Sequence, residues 1–327
     1  MDTFRCKLLF LRIVFWRGNV SRFPTRAAIP DFGCRRGLQE NASRKRPQGS
    51  EAVVKAISVN RFFAAVVPGC LMLLSMANAW ADGSEHGEDA SADGPLGSLV
   101  ICGGGSLPEA VLERFVQLAG GDRGKLIVIP TASSKVGDSD QEALVSRWSE
   151  LGIGNVSILH ARNRTEADSP AFTEAIDQAT AVWFGGGQQS RLADTYVGTA
   201  TEQAVLKLFR RGGVVGGTSA GAAIQSKVMI QSGSPVPVIA TGIDLLGGSI
   251  IDQHFLKRNR FNRLLHAVRS HPDRIGVGIA ESTAVVHQRG ECEVLGDSFV
   301  TIVSAKDGPH SLSVETLRSG QSFPLPK

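Results

Sequence analysis

The chain has 327 residues, 42% hydrophobic and 20% charged, enough for one large domain with a filled core. Its formal net charge of +4 is unevenly spread: residues 1–81 carry 13 Lys/Arg against 4 Asp/Glu, and residues 82–327 carry 22 against 27. The body is therefore acidic, which excludes a general nucleic-acid-binding role, since that needs a basic surface.

In chain order, residues 1–54 are Arg-rich and lack periodicity. They are expected to be an unstructured or mis-assigned extension, with translation starting near Val53, Val54 or Val59. Residues 55–81 read as a signal peptide: Lys55 and Arg61 precede the apolar run Phe62 to Met76, and Ala79-Trp80-Ala81 supplies the small–x–small site. This predicts export, periplasmic or secreted, after cleavage near Ala81. The apolar run is too short, and too broken by Pro68 and Gly69, to span a bilayer, so no membrane span is expected after cleavage. Cys70 sits ahead of the most apolar part, which fits a lipoprotein cleavage poorly. Residues 82–97 are acidic and rich in small residues and are expected to be a flexible linker, with a single domain over 98–327. Beyond the leader only Cys102 and Cys292 remain; they read as small buried hydrophobes, and no metal-type cysteine spacing exists.

From Ser98 the texture alternates between short apolar runs and helical spacing. Leu99 to Cys102 ends at Gly103-Gly104-Gly105, and Leu107 to Leu118 is predicted helical. Leu126 to Ile129 ends at Pro130-Thr131-Ala132-Ser133, and Gln141 to Leu151 is the next helix. Val156 to Leu159 is a third strand, Ala181 to Phe184 ends at Gly185-Gly186-Gly187, and Thr201 to Arg211 is helical before Val214-Val215. Such repetition predicts a parallel sheet with helices on both faces, its strands apolar throughout because both sides are covered. The short runs after residue 277 (Ala284 to His287, Cys292 to Leu295, Phe299 to Val303, Leu312 to Leu317) are expected to be sheet-edge strands and hairpins. In such sheets ligands bind beyond the carboxyl ends of the strands, which here carry the glycine-rich and polar positions. Gly103-Gly104-Gly105 lacks the third glycine of a dinucleotide site, and no Walker-type Gly-Lys-Ser/Thr occurs.

Gly217-Thr218-Ser219-Ala220-Gly221 has the G-x-S-x-G form of a nucleophile elbow, in which a tight strand-to-helix turn lifts a serine oxygen clear of the sheet. The plainer reading is Ser219 as a helix N-cap. A nucleophilic serine needs a base and a group to orient that base. Among the later histidines, His266, His271 and His287 read as surface or structural. His254 follows Asp252-Gln253 at the end of an apolar run, and Glu281 follows the apolar run Val277 to Ala280. The order Ser219, His254, Glu281 differs from the serine–acid–histidine order of α/β-hydrolases. A hydrolase-type esterase would instead need an acid before the base, for example Asp252 with His271 or His287.

Gly217 to Ala222, Asp252-Gln253-His254-Phe255 with Arg258, Arg260 and Arg263, Gly278-Ile279-Ala280-Glu281, and Phe184 to Arg191 together resemble the cyanophycinases, serine exopeptidases related to aspartyl dipeptidase (dipeptidase E). The resemblance runs from about Leu99 to the C-terminus. It implies a three-layer α/β/α sandwich with a mainly parallel sheet, similar to class I glutamine amidotransferases, in a family where homodimers are common and no metal or organic cofactor is used. It further implies Ser219 as nucleophile, His254 as general base and Glu281 as its orienting carboxylate, with the Ala220 and Gly187 N–H groups as oxyanion donors. Gln189, Asp252, Gln253, Arg258, Arg260 and Arg263 would line the pocket for a peptide substrate. That substrate would be cyanophycin, a poly-aspartate whose β-carboxyls carry arginine, released as β-Asp-Arg; arginines can clamp its carboxylates bidentately. Gln188 and Ala280 stand where the family pattern favours acids, which predicts a weaker hold on a guanidinium. Two competing readings follow: a related peptidase for other Asp-containing or isoaspartyl peptides, and a non-catalytic peptide-binding protein on the same scaffold, which would have no need of the serine–histidine–carboxylate set.

Overall fold

The computed structural model describes residues 97–306, 308 and 311–325. The Arg-rich extension, the segment read as a signal peptide, nearly all of the acidic stretch read as a linker, and His310 lie outside the described residues. Strand β1 (Ser98–Cys102) leads to helix α1 (Glu109–Ala119), then β2 (Lys125–Ile129), α2 (Asp138–Glu150) and β3 (Asn155–Ile158). Next come α3 (Arg164–Ala167), α4 (Pro170–Gln178), β4 (Ala181–Phe184), α5 (Gln189–Tyr196) and α6 (Ala200–Arg210). β5 (Val214–Thr218) runs into α7 (Ala220–Ala223), followed by a hairpin, β6 (Val228–Ser232) with β7 (Val238–Thr241). β8 (Ser249–Asp252), α8 (Phe261–Ser270), β9 (Ile275–Ile279), β10 (Thr283–Gln288), β11 (Glu291–Gly296), β12 (Phe299–Ala305), β13 (Leu312–Arg318) and β14 (Ser322–Pro324) complete the order.

The main sheet has eight strands in the order β14-β11-β10-β1-β5-β4-β2-β3. Its β1, β5, β4, β2 and β3 pairings are parallel, and β10, β11 and β14 extend the β1 edge antiparallel. The continuous apolar runs have the expected cause. Alternate residues of each strand enter different cores: Leu99, Ile101, Ile127, Ile129, Val182 and Phe184 face one side, and Val100, Cys102, Leu126, Val128, Ala181 and Trp183 the other. The first core is closed by α4, α5 and α6 through Ile176, Leu192, Tyr196, Val205 and Leu208; the second by α1 and α2 through Val111, Phe115 and Trp148. The result is a three-layer α/β/α fold. α1 forms because Val111, Leu112, Phe115, Val116 and Ala119 recur on one face, and it stops at Gly120 in the left-handed conformation. α4, absent from the sequence reading, begins with Pro170 at its first position after Ser169, a usable start signal.

The late strands divide in a way that corrects the sequence expectation. Only β10, β11 and β14 are strands of the main sheet's edge. β13, β12, β9 and β8 form a separate four-stranded sheet, with β8 and β9 parallel and α8 packed on it through Leu264, Ala267 and Val268. The two sheets are joined at the end of β1. There the His254 N–H, just after β8, donates to the Gly103 carbonyl at 2.7 Å, and the Ser282 N–H, between β9 and β10, donates to the Gly104 carbonyl at 3.0 Å. No helix among the described residues is long and apolar enough to cross a membrane.

Candidate functional site: a serine–histidine–glutamate relay

Ser219 stands between β5 and α7 with φ 54° and ψ −109°, a conformation that L-residues avoid. The turn closes because a Cβ on Gly217 would meet the Gly221 carbonyl and one on Gly221 would meet the Phe184 carbonyl, so only glycine allows the approach. Ser219 does occupy the N-cap position of α7, but as backbone only. The Ser219 side chain makes no capping hydrogen bond; its own carbonyl accepts from the Ala222 and Ala223 N–H groups, and the hydroxyl is left for other work.

That hydroxyl lies 2.8 Å from His254 Nε2, and His254 Nδ1 lies 2.6 Å from Glu281 Oε1. The three side chains come from three places: the end of β5, the residues after β8, and the residues after β9. His254 also has positive φ, 49°, as does Ser282 beside Glu281, so backbone strain concentrates at this point. With Glu281 accepting the Nδ1 proton, neutral imidazole presents a bare Nε2 to the serine.

The glycine run after β1, excluded above as a nucleotide loop, is the platform for this arrangement. Gly104 has φ +99°, and a Cβ there would lie 2.6 Å from His254 Nε2. A Cβ on Gly105 would lie 3.0 Å from the Glu281 Cβ. Gly104→Ala is therefore expected to push the imbedded imidazole off the serine and lower kcat by about 100-fold, as ångström-scale misplacements do. Steady-state kinetics beside a thermal melt checks this. An unchanged kcat in a folded variant would show that the ring is not held on Gly104.

The electrostatics suit a neutral base. Burial lowers the His254 pKa below its ordinary value; the Glu281 hydrogen bond opposes this, and Arg258 and Arg260 reinforce it. The hydrogen bond from His254 holds the Glu281 carboxyl below its usual range, helped by Lys257 and Arg258. A base must be unprotonated to act, so the acid limb of kcat/KM is expected below imidazole's ordinary value of about 6.5. Removing Arg258 takes away one lowering influence, so Arg258→Gln should move that limb to higher pH. A limb that stays in place or moves down would show that Arg258 exerts no field on the ring.

The residues expected to line a substrate pocket are placed differently. Asp252 is 1% exposed and pairs with Arg263, itself 4% exposed: Arg263 Nε donates to Asp252 Oδ2 at 2.9 Å, and Nη2 donates to Oδ1. Arg260 donates to the Gln253 carbonyl at 2.6 Å and to its Oε1 at 2.7 Å, and approaches Asp252 at 3.5 Å. Gln189 spends its amide nitrogen on the carbonyls of Ile230 and Gln231, each at 2.9 Å, and Arg263 also donates to Gly233. Five of the six residues thus brace the β8–α8 turn and the β6–β7 hairpin. A buried ion of one sign needs the other beside it, and Asp252 and Arg263 each fill that need. Arg258 is exposed, and while its N–H donates to the His254 carbonyl at 3.0 Å, its side chain has no hydrogen-bond or ion-pair partner among the described residues. Asp252 does not orient His254, and with Asp252 committed to arginine the acid-first pairing with His271 or His287 is not formed. His271 instead bonds the Ala267 carbonyl, and His287 is buried within β10. Of the oxyanion candidates, Ala220 is fully buried just after the nucleophile and Gly187 is exposed. Gly186, in the same strand-end glycine run but not among the oxyanion candidates, lies against the serine: a Cβ on it would be 3.5 Å from the Ser219 Cβ.

An α/β/α sheet carrying a serine on an elbow at a strand end is the frame of a serine hydrolase, and known proteins narrow it to a serine-type peptidase. The family model described as peptidase family S51 matches residues 99–295, and the chain belongs to that family. It is 36% identical over 208 residues to a cyanophycinase of Geminocystis herdmanii, covering 60% of this chain and 75% of that protein. It is 35% identical over 214 residues to a cyanophycinase of Trichormus variabilis, covering 62% and 70%. Among solved structures, a peptidase from an acI-B1 Actinobacterium matches with TM-score 0.56 and 25% identity, over 71% of this chain and 98% of that one.

Proposed function

We propose that this peptidase is an exported serine exopeptidase that hydrolyses cyanophycin to β-Asp-Arg dipeptides through Ser219, His254 and Glu281. The observation that carries the mechanism is the unbroken relay, 2.8 Å from serine to imidazole and 2.6 Å from imidazole to carboxylate. Ser219 Oγ attacks the scissile carbonyl carbon while His254 Nε2 takes its proton; Glu281 holds the ring and stabilises the imidazolium. The N–H groups of Ala220 and Gly187 receive the oxyanion, each such donor being worth about 3 kcal/mol in the transition state. His254 then passes the proton to the leaving amine, and water, deprotonated by the same ring, releases the acyl group. The substrate assignment is supported by relatives named cyanophycinase, and export by the pattern over residues 55–81.

A second reading, a related peptidase for other Asp-containing or isoaspartyl peptides, is favoured by one observation. Asp252, the acid nearest His254 in sequence, is already paired with two arginines and offers nothing to a substrate guanidinium. Incubating the protein with cyanophycin, β-Asp-Arg oligomers and α-linked Asp peptides separates the two. Release of β-Asp-Arg by wild type but not by Ser219→Ala supports the first reading. Turnover of the α-linked peptides alone supports the second.

A further inference from the structure

Beside the relay, two adjoining cavities of about 160 and 380 Å³ are cut against α2, and they share Pro130, Leu144, Arg147, Gly185 and Gly186 as a wall. The smaller is an apolar slot built on Leu107, Leu112, Trp148 and Trp183, and it reaches Thr218 and Gly105, the neighbours of Ser219 and Glu281. The larger opens past it to Ser133, Lys135 and Asp140. Gly186 belongs to both cavities and packs on Ser219, so a peptide whose carbonyl meets the serine has an adjoining group in this space.

The charges around it are unequal. Two cations, Arg147 and Lys135, stand against one carboxylate, Asp140, whose Oδ2 accepts the Gly137 N–H at 3.0 Å at the start of α2. Arg147 and Lys135 are exposed, and neither side chain has a hydrogen-bond or ion-pair partner among the described residues. Arg147 lies one turn after Leu144 on α2, and both residues line the two cavities, with Arg147 exposed. A slot that accepts methylenes, with an uncommitted planar fork at its rim, is matched by a carboxylate on a short stem.

We propose that Arg147, assisted by Lys135, is a specificity-determining carboxylate subsite beside Ser219, which selects peptides carrying an anionic group next to the scissile bond. The proposal rests on Ser219 being the nucleophile. Two carboxylates of such a substrate share this chemistry, the aspartyl α-carboxylate and the arginyl carboxylate, and the test separates them.

Binding of β-Asp-Arg dipeptide, and of its two mono-amides, to the full-length Ser219→Ala protein is measured by calorimetry, with and without Arg147→Ala. The parent is expected to bind the free acid about 10- to 100-fold more tightly than one of the amides, the scale of one charge-assisted hydrogen-bonded pair. Which amide loses affinity names the carboxylate. Arg147→Ala should abolish that difference without moving the melting temperature, Arg147→Lys should restore part of it, and Lys135→Ala should weaken it less. A parent that binds acid and amides alike, or an Arg147→Ala variant that keeps the preference, overturns the subsite. Hydrolysis of cyanophycin by the protein with Ser219 intact is scored separately, so a failure of the proposed function is told apart from a failure of the subsite.

Discussion

Ser219→Ala is expected to lower kcat by about 10⁵- to 10⁶-fold, roughly 7–8 kcal/mol of transition-state stabilisation. The size follows from the relay acting as a unit: the serine supplies the attacking oxygen, and the imidazole 2.8 Å away has no other proton to move. His254→Ala should cost about as much, and Ser219→Ala with His254→Ala no more than either alone, because the second change removes a group already idle. Glu281→Gln should cost less, about 10⁴-fold, since it leaves nucleophile and base in place and disturbs the tautomer. The measurement is kcat on whichever peptide the wild type hydrolyses. Additive losses across the pair would show that serine and histidine do not act on one proton.

Asp252→Asn is expected to cost about 3–5 kcal/mol of stability, because it leaves Arg263, 4% exposed, and the neighbouring Arg260 without their counter-charge. For a domain of this size that is a fall of the order of 10 °C in melting temperature. The penalty is that of an orphaned buried charge rather than of a lost favourable bond. Asp252→Leu with Arg263→Met should therefore be less destabilised than Asp252→Asn alone. The same experiment separates bracing from substrate binding. Had Asp252 been a pocket residue, the asparagine variant would raise KM and melt within about 0.5 kcal/mol of wild type, like an ordinary surface change. Bracing also reaches the chemistry, because Asp252 ends β8 two residues before His254 and Arg263 ties the turn to the β6–β7 hairpin.

Much of this site is legible in the amino-acid order. The elbow is local: Gly217 and Gly221 flank a serine because the turn admits no Cβ, and that requirement is written in five consecutive residues. The strands of the main sheet were legible as unbroken apolar runs, since a strand covered on both faces keeps no polar position. Polar residues at the ends of apolar runs mark His254 and Glu281 as candidates, and the resemblance to the cyanophycinases implies their roles. Sequence does not separate Arg258 from Arg260 and Arg263; burial and the bonds of the latter two to Gln253 and Asp252 do.

What the amino-acid order determined by itself was therefore the local set: the alternating elements, the elbow and the three side chains of the relay. The tertiary structure decided the rest. It placed β8 and β9 in a second sheet, and so brought His254 and Glu281 across to the end of β1. It laid the imidazole on Gly104, turning a glycine run without a recognisable motif into a platform. It also closed Asp252 and Arg263 on each other, and left Arg147 and Lys135 facing a cavity. Periodicity and turn chemistry report how a residue sits within its own segment. Which segment lies opposite, and whether a charge meets water, a partner or a substrate, is settled by packing between elements far apart in the chain.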